Sequence, residues 1–517
     1  MYKHTAPHLA LFFLLDTILI LLLSSCSPTQ TAPTLKPIET RTQTSTAPLP
    51  TTQPEPQHTR APDLTRPDTV RPTYAAEATQ RSVLPTPTPI SLGTPVSENL
   101  MDEPLTEEGP WLIYRSGDHS GTLFLINTNG TGREIVEIPK VLENLILLPS
   151  RNSDYFAIYQ YSNEATEVVI HIFHAPEIKI VETIDLVSYP GLIGSDAYHE
   201  LHTGSEHVFW YYEPVWSPDG RYLAFLGAID APSSDVYVYD TVTDHVKRLT
   251  SGENHAVDLK WSPDSLWIVH SEVESFDMDC SDDATWAVST NGEVILKLYE
   301  SSCDQILAWT DSSTFMSTDR TLEANRDVRI VDLHQGQVSY LFEGWFTNVA
   351  FDPIRFILLM NPRVEYPDTP DYPQGIYFLS VASPSLIMLE SEYRGWLWNS
   401  HLERIVSENV ECDGGTIAAL REDGTYECIE KPPMDLLWSP SGEWGIPRET
   451  KNKIYDENYT LIRTFMNSQA EEFLWSPDST GLFLIASGQL VYFEPPDGDL
   501  QMINNRNPSE LSWIGVG

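Results

Sequence analysis

The sequence predicts an all-β fold, namely a single multi-bladed β-propeller of eight or nine four-stranded blades that follows a disordered tether. Two observations predict it. An apolar strand ending in Trp, a Ser-Pro-Asp-Gly type of turn and a second apolar strand recur along the chain, most completely at 213–226. The first and last segments of the repeat region are each incomplete, and together they would make one more blade.

Each repeating unit can be aligned on its Trp, or on the apolar residue that replaces it. Neighbouring anchors are mostly about 37 to 48 residues apart, a spacing typical of four-stranded propeller blades. One longer gap, from Leu148 to Trp216, indicates an insertion. Counting gives nine units, of which we expect one weak unit to be misread. The anchors are Leu148, Trp216, Trp261, Trp309, Phe351, Trp398, Trp438, Trp475 and Trp513.

Within a unit, short alternating segments rich in Val, Ile, Tyr and Phe are separated by polar turns, as in half-buried strands. Pro presets φ in the turn, and Asp can accept a hydrogen bond from the backbone two residues on. We expect each anchoring Trp to end the innermost strand and to pack between neighbouring blades. A platform for stacking sugars is the alternative interpretation of these Trp side chains.

The unit at Trp216 also carries the strand Val236-Tyr237-Val238-Tyr239-Asp240 and the segment Arg248-Leu249-Thr250. With the preceding Trp-Ser-Pro-Asp-Gly, this pattern resembles the TolB-type β-propeller repeat, which is related in architecture to WD40. The resemblance covers essentially all of 105–517 and is strongest at Trp216 and Trp261. It implies the propeller architecture and says almost nothing about the ligand.

The ends of the repeat region predict a closed ring. The first unit begins with strands at 111–114 and 122–126 and lacks an inner strand, whereas the final segment 510–514 is an inner strand without the rest. Joining them would complete one blade from both chain ends and protect edges that an open array would expose.

The amino terminus has the features of a secretory signal over residues 1–25. Lys3 precedes an apolar run from Leu9 to Leu23 that is short for a membrane span. The segment Leu23-Ser24-Ser25-Cys26 resembles the bacterial lipobox, which implies cleavage before Cys26 and a lipid on its sulfur. An ordinary signal with an incidental Cys is the alternative. The resemblance therefore implies an extracytoplasmic protein of the cell envelope, anchored to the membrane by its lipid.

Residues 26–98 contain the lipidated Cys and a segment dominated by Pro, Thr, Ser, Gln and Ala. Such a segment cannot bury enough apolar surface to offset its chain entropy, so we expect a disordered, extended tether. We assign residues 99–517 to the propeller. Acidic and basic residues balance over 1–98, so the formal net charge of −43 lies on the propeller. This acidity disfavours nucleic-acid binding, and we expect it to keep the body soluble and monomeric. An acidic face that recruits a cationic partner or Ca²⁺ is the alternative.

Four cysteines follow Cys26, an even number that suggests disulfides in an exported protein. In the repeat model, Cys280 and Cys303 lie in two loops on one face of one blade, and Cys412 and Cys428 occupy comparable places in a later blade. We therefore predict the pairs Cys280–Cys303 and Cys412–Cys428.

Two polar segments are candidate metal sites. The insertion carries His199-Glu200-Leu201-His202 and Glu206-His207, and the acidic residues around Cys280 are Asp277, Asp279 and Asp283. Neither pattern completes a known ligand set: the first has no fourth ligand placed by spacing, and the second lacks the Gly and Glu of an EF-hand loop. We expect solvated polar loops, no metal and no cofactor.

No catalytic residue is assigned from the sequence. A serine hydrolase would need a Gly-x-Ser-x-Gly elbow and an α/β domain, and Gly117-Asp118-His119-Ser120-Gly121 has the wrong order. We therefore expect a binding or scaffold module for a protein or glycan ligand, with the insertion before Trp216 and the loop Asn361–Gly375 as candidate contact surfaces. The alternative is a propeller enzyme, a glycan hydrolase or lyase with carboxylates near the central channel.

Overall fold

Short antiparallel strands joined by tight turns form the folded body. The computed structural model describes residues 103–117, 122–175, 177–203, 206–273, 284–299, 304–320, 324–366, 369–391, 394–399, 402–412, 416–430, 436–448, 451–464, 470–504 and 508–515. The predicted signal, Cys26, the tether, Cys280 and Cys303 lie outside these ranges.

The strands are numbered in chain order. The first thirteen are β1 (Trp111–Ser116), β2 (Thr122–Asn127), β3 (Glu134–Val136), β4 (Asn144–Pro149), β5 (Tyr155–Tyr161), β6 (Val168–His174), β7 (Lys179–Asp185), β8 (His202–Thr203), β9 (Glu206–His207), β10 (Val215–Trp216), β11 (Tyr222–Gly227), β12 (Asp235–Asp240) and β13 (His245–Arg248). The next eleven are β14 (His255–Trp261), β15 (Trp267–Val273), β16 (Ala284–Ser289), β17 (Ile295–Tyr299), β18 (Asp304–Trp309), β19 (Thr314–Arg320), β20 (Asn325–Asp332), β21 (Gln337–Asp352), β22 (Ile357–Pro362), β23 (Ile376–Ser380) and β24 (Ser383–Glu390).

The last thirteen strands complete the body. They are β25 (Leu397–Asn399), β26 (Arg404–Ser407), β27 (Thr416–Leu420), β28 (Tyr426–Glu430), β29 (Leu436–Trp438), β30 (Trp444–Pro447), β31 (Lys453–Asp456), β32 (Leu461–Thr464), β33 (Glu472–Trp475), β34 (Leu482–Ala486), β35 (Gln489–Phe493), β36 (Gln501–Asn504) and β37 (Pro508–Ile514). Two short helices, α1 (Asp196–Glu200) and α2 (Val208–Tyr211), lie between β7 and β10.

These strands form nine four-stranded antiparallel units within the described residues. Blade 1 has the order β3-β2-β1-β37, and the next blades are β4–β7, β10–β13 and β14–β17. Blades 5 and 6 share the seven-stranded sheet β18–β24, because the long strand β21 is the outer strand of one and the inner strand of the other. Blades 7 to 9 are β25–β28, β29–β32 and β33–β36. The all-β propeller prediction is confirmed, with nine blades.

Eight of the nine predicted anchors lie in the first strand of a blade, including Leu148 and Phe351, which replace Trp, and Trp513 lies in β37, which takes the corresponding place beside β1 in blade 1. Our expectation that one weak unit would be misread was therefore wrong. The strands that carry the anchors approach one another in neighbouring blades: β10 contacts β14, and β33 contacts β37. These strands are therefore the innermost strands of their blades. The indole N–H of Trp261 donates to the backbone carbonyl of Val215 at 2.9 Å, so the Trp connects adjacent blades as well as filling the space between them.

The repeated turn has the hydrogen bonds that its sequence predicts. Ser217 accepts the backbone N–H of Tyr222 at 2.9 Å, and Asp219 accepts the backbone N–H of Arg221 at 3.1 Å. Gly220 has φ +73°, a left-handed conformation that glycine adopts without a steric cost. The sequence of the turn thus fixes the reversal between the first and second strands of a blade.

Ring closure is confirmed by strand pairing between the two ends of the body. Strand β37 pairs antiparallel with β1, with Trp111 opposite Ile514 and Leu112 opposite Trp513. Apolar clusters continue across this blade in both directions: Ile113 packs with residues of blade 2, and Trp513 packs with residues of blade 9. The core is therefore a series of interblade layers rather than one central cluster.

Two further predictions concern the connections. The insertion before Trp216 exists as α1, the two-stranded β8–β9 ladder and α2. Cys412 and Cys428 form a disulfide that joins the β26–β27 connection to β28, as predicted, whereas the Cys280–Cys303 pair stays a prediction. Over the described ranges, none of the helices has the length and apolar character needed to cross a membrane.

Candidate functional site

A cavity of about 590 Å³ opens at the end of blade 6 where its inner strand begins. Its walls come from β21, from the end of β22, and from the loop that leads to β23. This loop is part of the Asn361–Gly375 segment, which the sequence indicates as a candidate contact surface. The lining residues are Thr347, Asn348, Val349, Asn361, Pro362, Arg363, Val364, Glu365, Tyr372, Gln374 and Ile376. We call this space the blade 6 cavity.

The inner wall of the cavity is set by strand register. Thr347 lies opposite Asn361 in the β21–β22 ladder, so their side chains share one region of the wall. The register shifts between Asn348 and Ala350, which leaves Val349 as the extra residue of a β-bulge. Bulges redirect neighbouring side chains and are frequent next to functional sites. Thr347 and Asn348 are exposed.

Arg363 fixes the loop that forms the outer wall. Its backbone N–H donates to the carbonyl of Trp345 at 2.7 Å, and its guanidinium donates to the hydroxyl of Thr347 at 3.3 Å. The guanidinium also pairs with the carboxylate of Glu365. The backbone amide of Glu365 and the Arg363 guanidinium hold the pKa of Glu365 below its ordinary value. The cavity wall thus contains one neutralised ion pair.

A stack of four side chains supports the same loop. The rings of Trp345 and Tyr366 are stacked with centroids 5.2 Å apart. Arg326 lies 5.6 Å from the centroid of Trp345, and Arg363 lies 5.4 Å from that of Tyr366. Aromatic stacking and cation–π contacts each stabilise such an arrangement by about 0.5–1.5 kcal/mol. The loop is held by its own side chains and by β21.

Tyr372 provides the aromatic part of the cavity wall. Its ring centroid lies 5.9 Å from Phe342 and 5.6 Å from Tyr377, and the hydroxyl of Tyr377 donates to the carbonyl of Pro373 at 2.8 Å. These contacts fix the position of the Tyr372 ring. The apolar remainder of the wall comes from Val349, Pro362, Val364 and Ile376.

A second cleft, of about 370 Å³, lies between blades 6 and 7 at the other end of the strands. Its arginines are matched by acids. Arg421 binds Glu427 at 2.9 Å, Arg404 also binds Glu427, and Arg355 binds Asp352 at 2.9 Å. Because these charges satisfy one another, the cleft has no surplus positive charge for an anionic ligand.

The insertion forms the other predicted contact surface. Val208 and Phe209 are fully buried, and the hydroxyl of Tyr159 donates to the carbonyl of Phe209, so α2 is anchored to blade 2. Trp210 stacks on Tyr161 with centroids 6.4 Å apart, and Tyr211 is 56% exposed. The connection into β10 and the loop before β23 leave their blades at the same end, opposite the Ser-Pro-Asp-Gly turns. The two surfaces therefore belong to one face of the propeller.

The remaining predicted site residues are distributed as follows. Cys26, Cys280 and Cys303 lie outside the described residues, as do Asp277, Asp279 and Asp283. Among the described residues no group of three or more His, Cys, Asp or Glu side chains has a metal-binding arrangement. The sequence did not indicate Thr347, Asn348 and the Val349 bulge, because a bulge in a strand has no local residue signature at this position.

Comparisons with known proteins give little beyond the fold. No family model and no curated protein matches the chain. Solved structures that resemble it include a eukaryotic initiation factor, which is 13% identical over 79% of this chain and 96% of that one, with a TM-score of 0.42. The β-propeller domain of the Trilobed protease from Pyrococcus furiosus is 13% identical over 70% of this chain and 96% of that one, with a TM-score of 0.31. TolB from Acinetobacter baumannii is 14% identical over 54% of this chain and 63% of that one, with a TM-score of 0.27. At these scores the likenesses carry no argument about function.

Proposed function

We propose that the protein is an extracytoplasmic binding module, held at the membrane by a lipid on Cys26, whose ligand occupies the blade 6 cavity. The cavity is the observation that supports this proposal. Its volume of about 590 Å³ lies within the usual range for small-ligand pockets, roughly 300–1,000 Å³. It also combines an apolar and aromatic wall with a few convergent polar groups, which is the usual composition of such sites.

The polar groups favour a neutral, hydroxyl-rich ligand. Asn348, Asn361 and Gln374 each offer an amide donor and an amide acceptor, and Thr347 offers a hydroxyl. The charges of Arg363 and Glu365 neutralise each other. A glycan segment matches this lining best, since its hydroxyls pair with amides and its apolar ring faces pack on Tyr372.

Two features support the proposed location. The Cys412–Cys428 disulfide supports an oxidising compartment outside the cytoplasm. The Leu23-Ser24-Ser25-Cys26 segment supports export and lipid attachment. Mass spectrometry of the mature amino terminus should find a diacylglyceryl-modified Cys26, and C26S should move the protein from the membrane fraction to the soluble fraction. An unmodified Cys26, or membrane retention of C26S, would contradict the anchor.

The binding proposal is tested with fragments of envelope glycans and with short envelope peptides as the competing ligand class. We expect wild type to bind a glycan fragment, and N361A with Q374A to weaken binding by about tenfold, since each lost hydrogen bond costs about 0.5–1.5 kcal/mol. N458A is the matched control, because Asn458 is exposed in the β31–β32 turn of blade 8. Unchanged affinity in the double variant would remove the cavity from the proposal, and binding of peptides alone would change the ligand class.

A second candidate function is glycan hydrolysis at the channel. Glu472 and Glu510 lie on the inner strands of neighbouring blades 9 and 1. Burial, with a smaller contribution from Glu510, raises the pKa of Glu472, whereas Glu510 is ion-paired with Arg115 at 2.8 Å. A carboxyl whose pKa is raised, beside a paired carboxylate, is the combination that glycosidases use. Release of reducing ends by wild type and its loss in E472Q would favour the enzyme, and binding without turnover would favour the module.

A further inference from the structure

The outer edge of blade 6 is formed by β24. Over the residues that the structure describes, β24 pairs with β23 on one side and with no strand on the other. Such an outer strand leaves a row of backbone N–H and C=O groups without ladder partners. Pro384, near the start of β24, has no N–H, so the stretch that can accept another strand is 385–390. Its residues 386–389 are Leu, Ile, Met and Leu.

The other outer strands differ from β24 in their side chains. Most of them carry a charged residue, which opposes pairing with another chain. These residues are Glu134 in β3, Glu182 in β7, Lys247 in β13, Lys297 in β17, Glu343 in β21, Glu427 in β28 and Arg463 in β32. In β24 the charged residue is Glu390 at the very end, and its side chain is only 14% exposed and binds Arg394 at 3.2 Å. The apolar stretch of β24 therefore has no charge that would oppose pairing.

Two apolar side chains of this edge are exposed. Ile387 is 42% exposed and Met388 is 41% exposed. Successive side chains of a strand point to opposite faces, so one of the two lies on each face of the blade. Their neighbours fix the strand, because Leu386 packs against the apolar layer of blades 5 and 6 and Leu389 against that of blades 6 and 7. An added strand would meet a firmly held edge with apolar contacts on both faces.

The charge of the body indicates which kind of chain fits this edge. The formal net charge of −43 lies on residues 99–517, so a second copy of the body is repelled, whereas a chain that carries Lys or Arg is attracted. We propose that β24 binds an extended segment of a partner protein as a fifth strand of blade 6. This segment has apolar residues in its centre, which pack on Ile387 and Met388, and Lys or Arg at its ends. No residue of β24 lines the blade 6 cavity, so the proposal does not depend on the glycan ligand.

The first test measures the binding of a fluorescein-labelled peptide, Lys-Thr-Val-Ile-Val-Thr-Lys, to the full-length protein by fluorescence anisotropy. We expect saturable binding that weakens as the salt concentration rises, because salt screens the attraction between the charges. The control peptide has the same sequence with methylated amide nitrogens in its central residues, so it keeps the side chains and loses hydrogen-bond donors. It should bind at least about tenfold more weakly. Absence of saturable binding, or equal affinity for the two peptides, would overturn the proposal.

The second test places a charge on the edge. I387K should keep the fold, since Ile387 is exposed, and should weaken peptide binding by about tenfold or more, a change of about 1.4 kcal/mol or more. I295K is the matched control, because Ile295 is 49% exposed on β17, the outer strand of blade 4, and its replacement should leave the affinity unchanged. Equal affinities of I387K and wild type, or equal losses in both variants, would overturn the proposal. So would sedimentation of wild type as a dimer that I387K abolishes, because the edge would then belong to a second copy of this chain.

Discussion

Trp513 donates its indole N–H to the backbone carbonyl of Trp475 at 2.9 Å, and this bond joins the last strand of the chain to blade 9. Trp216 makes the corresponding bond to the carbonyl of Leu148, also at 2.9 Å. The boundary between blades 9 and 1, which β37 forms, therefore has the same Trp-to-carbonyl hydrogen bond as the boundary between blades 2 and 3. It follows that the two ends of the body are joined by ordinary interblade contacts in addition to the β1–β37 ladder.

The first prediction compares these two bonds. W513F should lower the free energy of unfolding by about 1 kcal/mol, because the ring stays buried while the Trp475 carbonyl loses its donor. W216F should cost a similar amount. Urea unfolding followed by circular dichroism measures both, and W398F is the control, since Trp398 has no such bond among the described residues. A W513F cost near zero beside a clear W216F cost would contradict the equivalence of the two boundaries.

The second prediction concerns the disulfide. Cys412 and Cys428 are 16 positions apart, and closing a loop of that length stabilises by about 3 kcal/mol in the chain-entropy model. C412S with C428S should therefore lower the free energy of unfolding by about that amount under oxidising conditions. Chemical unfolding of both proteins measures the difference. Equal stability of wild type and the double variant would show that the bridge contributes no constraint.

Much of the fold could be predicted because its determinants are local. Ser217, Asp219 and Gly220 make a turn with near neighbours, and each Trp occupies one place in a repeating unit. The Cys412–Cys428 pair could be predicted because the repeat places the connection after the second strand of a blade near the fourth strand of the same blade. The cavity could be located only by its loop, since the inner wall at Thr347 and the stack of Trp345 on Tyr366 depend on residues distant in sequence.

The third prediction is a loss of stability in acid. Burial lowers the pKa of both His255 and His270 to about 4, from an ordinary value of 6.5. The folded state thus binds fewer protons than the unfolded state, so the stabilising contribution is complete above about pH 6.5 and is lost as pH falls toward 4. At pH 5 each histidine should remove about 2 kcal/mol.

H255N with H270N should flatten this acid limb. Asn can still accept the backbone N–H that Ser234 donates to Nδ1 of His255 at 3.1 Å. Melting temperatures of wild type and variant between pH 7 and pH 4.5 measure the effect, and H245N, an exposed position, should leave the profile of wild type unchanged. An acid limb equally steep in the double variant would assign the acid sensitivity to other groups.

The fourth prediction concerns Glu472, whose carboxylate accepts the backbone N–H of Leu511 at 3.1 Å across the boundary between blades 9 and 1. Burial and, to a smaller extent, the charge of Glu510 raise its pKa above the ordinary 4.5. Stability from this group is therefore complete below about pH 4.5 and is lost as pH rises through its folded pKa. E472Q keeps the acceptor and removes the charge, so it should melt higher than wild type at pH 7 and converge with it in acid. E471Q, at an exposed neighbour, is the control, and a lower melting temperature for E472Q at pH 7 would contradict this prediction.

The last prediction tests how the blade 6 cavity is shaped. Gly344 has φ +131°, and a Cβ there would lie 3.0 Å from Cα of Thr369. The backbone N–H of the neighbouring Trp345 donates to the hydroxyl of Thr369 at 2.7 Å. G344A should therefore strain β21, at a cost of about 1–3 kcal/mol, and push the loop away from the strand.

Displacement of that loop should weaken binding of the glycan fragment that wild type binds, because Arg363 and Tyr372 belong to the same loop. G442A is the matched control: Gly442 has φ +77°, and a Cβ there would meet nothing within 4 Å. Both variants should lose stability through backbone strain, but only G344A should lose affinity, as measured by calorimetry. Equal affinity of G344A and wild type would mean that the loop does not form the ligand site, since strain alone is common to both variants.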